Sequence, residues 1–217
     1  MKVLAAFNPD ALAERSCYFA GGTAIALLCG EHRESVDIDF LCTTRHGMRD
    51  LRATVDSTSL GDLLRPGVHV TLARDVRADR YGVRTVVQVD GAPIKLEFVH
   101  EDRIDVTGAM IDALPVPVLN RSDLYAEKLL ANTDRGTDAA ILYRDMIDLM
   151  VMIIVWGPIP DAAWSKARGA YGGKVDQAFD AVQTYLRANP EKWRDACRRM
   201  CIDMAWQAKL DRVMRIP

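Results

Sequence analysis

Two short segments combine residue types that suit the chemistry of phosphate groups and metal ions. Gly21-Gly22-Thr23 follows the apolar run Cys17–Ala20, and Asp37 and Asp39 alternate with apolar residues further along. Glycines at the start of a helix expose backbone N–H groups to phosphate oxygens, and Thr23 can add a hydroxyl. Because alternate residues of a strand share a face, Asp37 and Asp39 can bind Mg²⁺ together. The pattern predicts a nucleoside triphosphate (NTP) site beside a magnesium site.

A third carboxylate is predicted on another strand. Residues 83–89 and 94–99 alternate in polarity and flank Asp90-Gly91, a pair typical of a β-hairpin. Lys95 and Glu97 fall on the polar face of the second strand, so Glu97 can face the same way as the aspartates and complete the metal site. The alternative is that Glu97 is an exposed partner of Lys95.

A second charged cluster is predicted on two helices of the C-terminal half. Lys128 lies within one helix, and Asp145 and Asp148 share a face of the next because they are three residues apart. Functionally, Lys128 would bind the β- and γ-phosphates or the leaving pyrophosphate, and Asp145 would orient Lys128 or act as a base. The alternative is a set of ion pairs between helices without a catalytic role.

Together these segments resemble the AbiEii/AbiGii toxin group of nucleotidyltransferases, within the polymerase β-like superfamily. The resemblance runs in order through FAGGTAIALLCGEHRESVDIDFL at 19–41, IKLEF at 94–98, SDLYAEKLLANTDR at 122–135 and RDMIDL at 144–149. It implies that the chain transfers a nucleotide from an NTP to an acceptor hydroxyl. The residues implied are catalytic Asp37, Asp39, Lys128 and Asp145, the Mg²⁺ ligands Asp37, Asp39 and Glu97, and the substrate-binding Gly21, Gly22, Thr23, Arg33 and Ser35.

The resemblance also implies an acceptor and a partner. The family includes toxins of toxin–antitoxin and phage-defence systems, some of which add nucleotides to tRNA 3′ ends, so it implies an RNA acceptor and a cognate antitoxin protein. The chain departs from the family pattern in three ways: Glu97 stands in place of aspartate, Thr23 in place of the serine of the wider superfamily, and the C-terminal helical region is short. The first two changes preserve the chemistry, and the third leaves the acceptor open.

Two other functions fit parts of the pattern. An antibiotic-modifying nucleotidyltransferase would share the metal chemistry but would surround a cationic aminoglycoside with acidic residues, whereas an enzyme acting on RNA needs a basic surface. A non-catalytic module that binds a nucleotide or an antitoxin would not need the complete set Asp37, Asp39, Lys128 and Asp145. The intact set therefore favours an enzyme.

The clearest local excess of positive charge lies in residues 187–217. There Arg194, Arg198 and Arg199 fall close together on one predicted helix. They predict a surface that binds the phosphates of RNA. The alternative is a solvated helix face paired with Asp195 and Glu191.

Strand-like and helix-like segments mix before about residue 115, and helix-like segments follow. This order predicts an α/β (α+β) fold, with a nucleotidyltransferase-like mixed sheet flanked by helices and followed by a C-terminal helical region. We expect four to six strands in a catalytic core at 1–115, with the helical domain at 116–217 contributing to an active-site cleft. Ser122 is predicted as the N-cap of the first helix of that domain. Further helices are predicted at 138–155, 160–170, 174–188 and 190–214.

Composition narrows the classes of protein that remain. The 217 residues are 49% hydrophobic and 27% charged with a net charge of −2, as in a globular protein without a global basic signature. The N-terminus lacks a signal-peptide pattern, and the longest apolar run, Leu149–Trp156, is shorter than the roughly 20 residues that span a bilayer. We therefore expect a cytoplasmic protein without a membrane association. The five cysteines are expected to be reduced thiols packed in the interior.

Overall fold

A computed structural model describes residues 2–216 of the chain. Its internal contacts divide the chain into two units: unit 1 comprises Met1–Ala24 with Val36–Asn120, and unit 2 comprises Ile25–Ser35 with Arg121–Pro217. None of the helices within residues 2–216 is both long and apolar enough to cross a membrane.

Unit 1 contains a seven-stranded mixed sheet with the order β3-β4-β5-β2-β1-β7-β6. The pairs β2–β5 and β1–β7 are parallel, and the remaining neighbours are antiparallel. The mixed sheet confirms the predicted fold class, although it exceeds the expected four to six strands. The strands are β1 Cys17–Ala20, β2 Ile38–Cys42, β3 Thr71–Asp79, β4 Gly82–Val89, β5 Ala92–His100, β6 Gly108–Ile111 and β7 Leu114–Leu119.

The hairpin predicted around Asp90-Gly91 is confirmed as β4 and β5. Both turn residues have a positive φ, 50° and 84°, which suits a two-residue hairpin turn. Strand β7 was not predicted, because its Pro115 and Pro117 indicated a connector. The strand forms nevertheless, because its paired positions, such as Val118 against β1, avoid the prolines.

Apolar side chains cover one face of the sheet. Phe40 of β2 and Phe98 of β5 stack with ring centroids 4.9 Å apart, and Phe7 packs edge-on against Phe40 at 5.1 Å. Helix α4 contacts β2, β4 and β5 through buried residues such as Met48, so it packs on this apolar face. The helices that begin in unit 1 are α1 Lys2–Ala6, α2 Pro9–Glu14, α3 Gly21–Leu28 and α4 Arg45–Thr54.

Unit 2 is helical. Helix α5 contacts α6, α7 and α8, and α10 contacts α6. Buried apolar side chains between these helices include Leu129, Ile147 and Trp193. The helices are α5 Arg121–Arg135, α6 Arg144–Trp156, α7 Asp161–Tyr171, α8 Lys174–Ala188, α9 Pro190–Arg199 and α10 Met204–Met214.

Three predicted helix boundaries in unit 2 are wrong. Helix α5 begins at Arg121, so Ser122 lies in its first turn rather than at the N-cap. The helix expected at 138–155 starts at Arg144, because Leu142 and Tyr143 adopt left-handed φ values of 56° and 54° after a short 3-10 turn. The helix expected at 190–214 is two helices, because Asp203 caps a new one by accepting a hydrogen bond from the Trp206 N–H.

The expectation of five reduced, interior cysteines is also wrong. Cys17 and Cys42 face each other on the antiparallel strands β1 and β2 and are joined by a disulfide. Cys201 is exposed. Only Cys29 and Cys197 are buried thiols, and burial raises the pKa of each to about 12, so both stay protonated near neutral pH.

Candidate active site

The glycine segment and the acidic segment meet at Gly21 and Asp39. Gly21 is the first residue of α3 and has a φ of 74°, and a Cβ built on it would lie 2.5 Å from Asp39 Oδ2. Both facts require glycine, because other residues are strained at this φ and would displace the carboxylate. The start of α3 therefore lies directly against the Asp39 side chain at Gly21, and Gly22 and Thr23 follow in the first helical turn.

Thr23 and Asp37 form a second link between these segments. The Thr23 hydroxyl donates a hydrogen bond to the backbone carbonyl oxygen of Asp37. Asp37 was expected within the strand, but β2 begins at Ile38, and Val36 is 55% exposed rather than part of the apolar face. The segment before β2 is thus held by Thr23 instead of by the strand ladder.

Asp39 and Glu97 are neighbours in the sheet. Strands β2 and β5 run parallel with Asp39 opposite Glu97, so the two side chains lie on the same face. Glu97 Oε2 also forms an ion pair with Lys95 Nζ, at a distance of 2.5 Å. The two interpretations of Glu97, as a neighbour of the aspartates and as a partner of Lys95, thus both describe its position.

The donor set of these residues suits magnesium. Within residues 2–216, no three His, Cys, Asp or Glu side chains are grouped so as to hold a metal ion, and Asp37 is not assembled with the other two carboxylates into a cluster. Mg²⁺ prefers oxygen ligands and is commonly bound by one or two carboxylates together with substrate phosphates. Adjacent carboxylates beside a helix start meet that requirement.

A row of charged residues crosses the sheet through these carboxylates. Arg77 of β3 lies opposite Arg84 of β4, Arg84 opposite Glu97 of β5, and Glu97 opposite Asp39 of β2. Asp39 in turn lies opposite Ala20 of β1, the residue before the glycine helix. Side chains in one such row share a face, so this charged row places two guanidinium groups and two carboxylates on the polar face.

A cavity of about 870 Å³ opens on the polar face. We call it the arginine cavity. Its charged lining is Asp37, Arg74, Asp75, Arg77, Arg84 and Lys95.

A buried charge cluster occupies the interior of unit 2. The Lys128 ammonium contacts Asp145 Oδ1 and Asp148 Oδ2, each at 2.8 Å, and Arg135 Nε contacts Asp145 Oδ2 at 2.7 Å. Lys128 is only 5% exposed, and both aspartates are fully buried. Lys128 is therefore fixed between two helices by opposite charges.

Asp148, which the sequence places beside Asp145 without assigning it a role, is a central member of this cluster. It accepts Arg33 Nε at 2.8 Å and Arg33 Nη2 at 3.0 Å, and His32 Nε2 lies 3.2 Å from its Oδ1. Arg33 was predicted to bind substrate, but its guanidinium is buried in this pairing. Ser35, which was also predicted to bind substrate, follows Arg33 by two residues and is half-buried. The sequence feature that could have identified Asp148 as a functional residue is its position three residues after Asp145, inside the mostly apolar α6.

Electrostatics keeps this cluster fully charged. Burial alone would raise the pKa of Asp148, but Lys128 and Arg33 hold it well below its usual range. Burial opposes the ionised form of Asp145 as well, and Lys128 and Arg135 nonetheless lower its pKa. Burial would lower the pKa of Lys128, which the two carboxylates raise instead. An aspartate with a lowered pKa is a weak base, so the geometry favours Asp145 as the residue that orients Lys128.

The arrangement in unit 1 defines a class of protein. A mixed sheet that brings two carboxylates on adjacent parallel strands next to a helix opened by glycines is expected of an enzyme that transfers phosphoryl or nucleotidyl groups.

Comparison with known sequences identifies the family. The family model described as "Nucleotidyl transferase AbiEii toxin, Type IV TA system" matches residues 2–213. The chain therefore belongs to the AbiEii family of nucleotidyltransferase toxins, as its motifs predicted, and it is a nucleotidyltransferase. Membership in a type IV toxin–antitoxin family implies a nucleotide substrate and an antitoxin partner. No curated protein matches the sequence.

Two solved structures are similar to this chain. One is an antigenic nucleotidyltransferase-like protein from Paracoccidioides brasiliensis, with 16% identity over 90% of this chain and 89% of that one and a TM-score of 0.45. The other is JHP933 from Helicobacter pylori, with 13% identity over 83% of this chain and 90% of that one and a TM-score of 0.34.

Proposed function

We propose that this nucleotidyltransferase uses Mg²⁺ held by Asp39 and Glu97, with Asp37 joining them from the segment before β2 when metal and NTP bind, to transfer a nucleotide from an NTP to a hydroxyl of an RNA acceptor. The observation that carries the proposal is the contact of the Asp39 carboxylate with the glycine start of α3, beside Glu97 on the neighbouring strand. A phosphate chain at the helix start would lie next to carboxylates that bind the metal.

The chemistry follows from these positions. The backbone N–H groups at Gly21 and Gly22 bind phosphate oxygens, and Thr23 holds the Asp37 segment beside them. Magnesium at the carboxylates would supply charge neutralisation for the phosphates. The acceptor oxygen forms a bond to the α-phosphorus, the bond from the α-phosphorus to the bridging oxygen of the β-phosphate breaks, and pyrophosphate leaves. The proton of the hydroxyl passes to a carboxylate of the site.

Unit 2 holds a positioned cation. We assign Lys128 to phosphate oxygens, and Asp145 and Asp148 fix its side chain. Arg33 acts through Asp148, as a positioning residue. Three cations against two aspartates leave this cluster with an excess of positive charge suited to a phosphate group.

An RNA acceptor is favoured over a cationic antibiotic by the charges near Asp37. Arg74 and Arg77 line the arginine cavity with guanidinium groups that no carboxylate within residues 2–216 pairs, and they would repel a positively charged aminoglycoside. A module without catalysis is the third possible function. It would not need the adjacent carboxylates of Asp39 and Glu97, so their presence favours an enzyme. The chain also belongs to a family of toxins. A toxin must act on a molecule on which the cell depends, and an RNA acceptor meets that requirement.

The acceptor can be identified directly. Purified protein is incubated with Mg²⁺, each labelled NTP in turn, and either total bacterial RNA or an aminoglycoside. The proposal predicts a labelled RNA of tRNA size with at least one NTP and no labelled antibiotic. A labelled aminoglycoside without labelled RNA would establish the small-molecule function instead.

A further inference from the structure

We propose that the arginine cavity binds the sugar–phosphate backbone of the acceptor, with Arg74 and Arg77 as its main phosphate contacts. The proposal rests on the function proposed above, because it assigns the acceptor of the same reaction to a site. It differs from the sequence-based expectation, which placed the RNA surface on Arg194, Arg198 and Arg199.

Arg74 and Arg77 are the available cations of the cavity. Both are exposed on β3, and within residues 2–216 neither guanidinium group forms an ion pair or a hydrogen bond. Arg84 is held by Asp79, whose oxygens lie 2.7 and 2.8 Å from its Nη2, and Lys95 is held by Glu97. An incoming phosphate would therefore meet two guanidinium groups without giving up an existing ion pair.

The strand order places this cavity on the side of Asp39 that faces away from β1 and α3. Helix α3 follows β1, which lies on one side of β2, whereas β5, β4 and β3 lie on the other. Strands are about 4.8 Å apart, so Arg77 is about 10 Å from Glu97 and about 14 Å from Asp39 along the sheet. An NTP at Gly21 and an RNA strand at Arg77 would thus approach Asp39 from opposite sides.

The cavity is large enough for more than a single phosphate. Its volume of about 870 Å³ lies within the range of roughly 300–1,000 Å³ that is common for sites of small ligands. The cavity also reaches Asp37, so a strand whose phosphates contact Arg74 and Arg77 can extend its terminal nucleotide toward the carboxylates. A polyanion with a terminal hydroxyl can therefore place its phosphates at the arginines and its hydroxyl near the carboxylates.

The arginines of α9 are less suited to this role. Arg198 Nη2 lies 2.7 Å from Asp195 Oδ1, and Arg199 Nη1 lies 3.8 Å from Asp195 Oδ2. This pairing is the solvated-face arrangement that the sequence left open as the alternative.

Three double variants of the full chain test the proposal: R74A/R77A, R198A/R199A and the control R45A/R49A. Arg45 and Arg49 are exposed on α4, which packs on the opposite, apolar face of the same sheet, so the control removes the same charge from the same unit. Binding of a fluorescein-labelled single-stranded RNA is measured without nucleotide over a range of salt concentrations. Binding of a fluorescent NTP analogue and the KM for tRNA in transfer are measured in parallel.

We expect R74A/R77A to weaken RNA binding and raise the KM for tRNA by about tenfold or more, as is typical when hydrogen bonds to charged groups are lost. Each lost phosphate contact to single-stranded RNA lowers the salt slope by about 0.7, so the slope should fall by about 1.4. Binding of the NTP analogue and kcat at saturating tRNA should not change. The other two double variants should bind RNA like the wild type.

Three results would overturn this proposal alone. The first is a wild-type salt slope in R74A/R77A while the wild type transfers nucleotides to tRNA, which leaves the proposed function intact. The second is a loss of slope confined to R198A/R199A. The third is a loss of NTP binding with unchanged RNA binding, which would assign the cavity to the nucleotide. A wild type that binds the NTP analogue but labels no RNA would refute the proposed function itself, and the present proposal with it.

Discussion

Asp148 receives donors from both chain segments of unit 2. Its two carboxylate oxygens accept the Arg33 guanidinium, the Lys128 ammonium lies 2.8 Å away, and His32 Nε2 lies 3.2 Å away. One fully buried carboxylate thereby connects residues 25–35 with α5 and α6. A buried charge of this kind is costly to desolvate, and it is tolerated because each oxygen is satisfied.

Replacing Asp148 should therefore destabilise unit 2 strongly. Asp148→Asn leaves Arg33 and Lys128 buried without their shared counter-charge, and loss of one partner of a buried ion pair typically costs about 3–5 kcal/mol. Chemical denaturation followed by circular dichroism measures the change in the free energy of unfolding. Asp195→Asn is the control, because Asp195 pairs with exposed arginines, and it should change little. Equal stabilities of the two variants would contradict the role given to Asp148.

The same carboxylate should make stability depend on pH in the acid range. The folded-state pKa of Asp148 is lowered, so its contribution is present above the unfolded value of about 3.9 and is lost as the pH falls below it toward the folded value. The raised pKa of Lys128 adds a contribution that is lost only as the pH rises through that value, on the alkaline side. The wild type should thus lose stability below about pH 4 more steeply than Asp148→Asn.

The β4–β5 hairpin is the element that positions both Glu97 and Arg84. Its register places Arg84 opposite Glu97 and continues across β2 to Asp39. A slip of one residue would turn these side chains to the apolar face, so the metal site and the arginine cavity depend on one turn and one register.

Gly82, the first residue of β4, and Gly91, in the turn that follows β4, should respond differently to alanine. Gly91 has a φ of 84° and open space at its Cβ position, so Gly91→Ala should cost about 1 kcal/mol, from backbone strain. Gly82 has a φ of 136°, and a Cβ there would lie 2.1 Å from the backbone oxygen of Phe98. Gly82→Ala must shift β5 and should cost clearly more. Denaturant unfolding of both variants measures the difference, and a smaller effect at position 82 would refute the register.

Local patterns predicted the elements that carry the carboxylates, and longer-range pairing decided the rest. Polarity alternation and Asp90-Gly91 predicted β4 and β5, because both signals lie within the hairpin itself. Nothing local indicated that Cys17 and Cys42 would face each other, since the β1–β2 pairing joins residues 25 positions apart. The burial of Arg33 against Asp148 likewise depends on a separation of 115 residues, which spacing along the chain does not encode.

In the whole molecule, each of the two units carries its own set of charged functional residues. Unit 1 holds the carboxylates, the glycine helix start and the arginine cavity, and unit 2 holds the buried Lys128 cluster. The family match covers residues 2–213 and thus includes both units. In our account, metal binding and acceptor binding belong to unit 1, so their residues can be tested separately from the stability of unit 2.

The role of the carboxylates in transfer to RNA is tested most directly by comparing the wild type with Asp39→Asn and Glu97→Gln. Transfer is measured at saturating NTP and Mg²⁺, with total tRNA as the acceptor. Loss of a metal-binding carboxylate should remove several kcal/mol of transition-state stabilisation, so we expect each variant to be slower by about 1,000-fold or more with an unchanged fold by circular dichroism. We expect labelled tRNA with the wild type alone. Near wild-type labelling by folded Asp39→Asn would contradict this expectation.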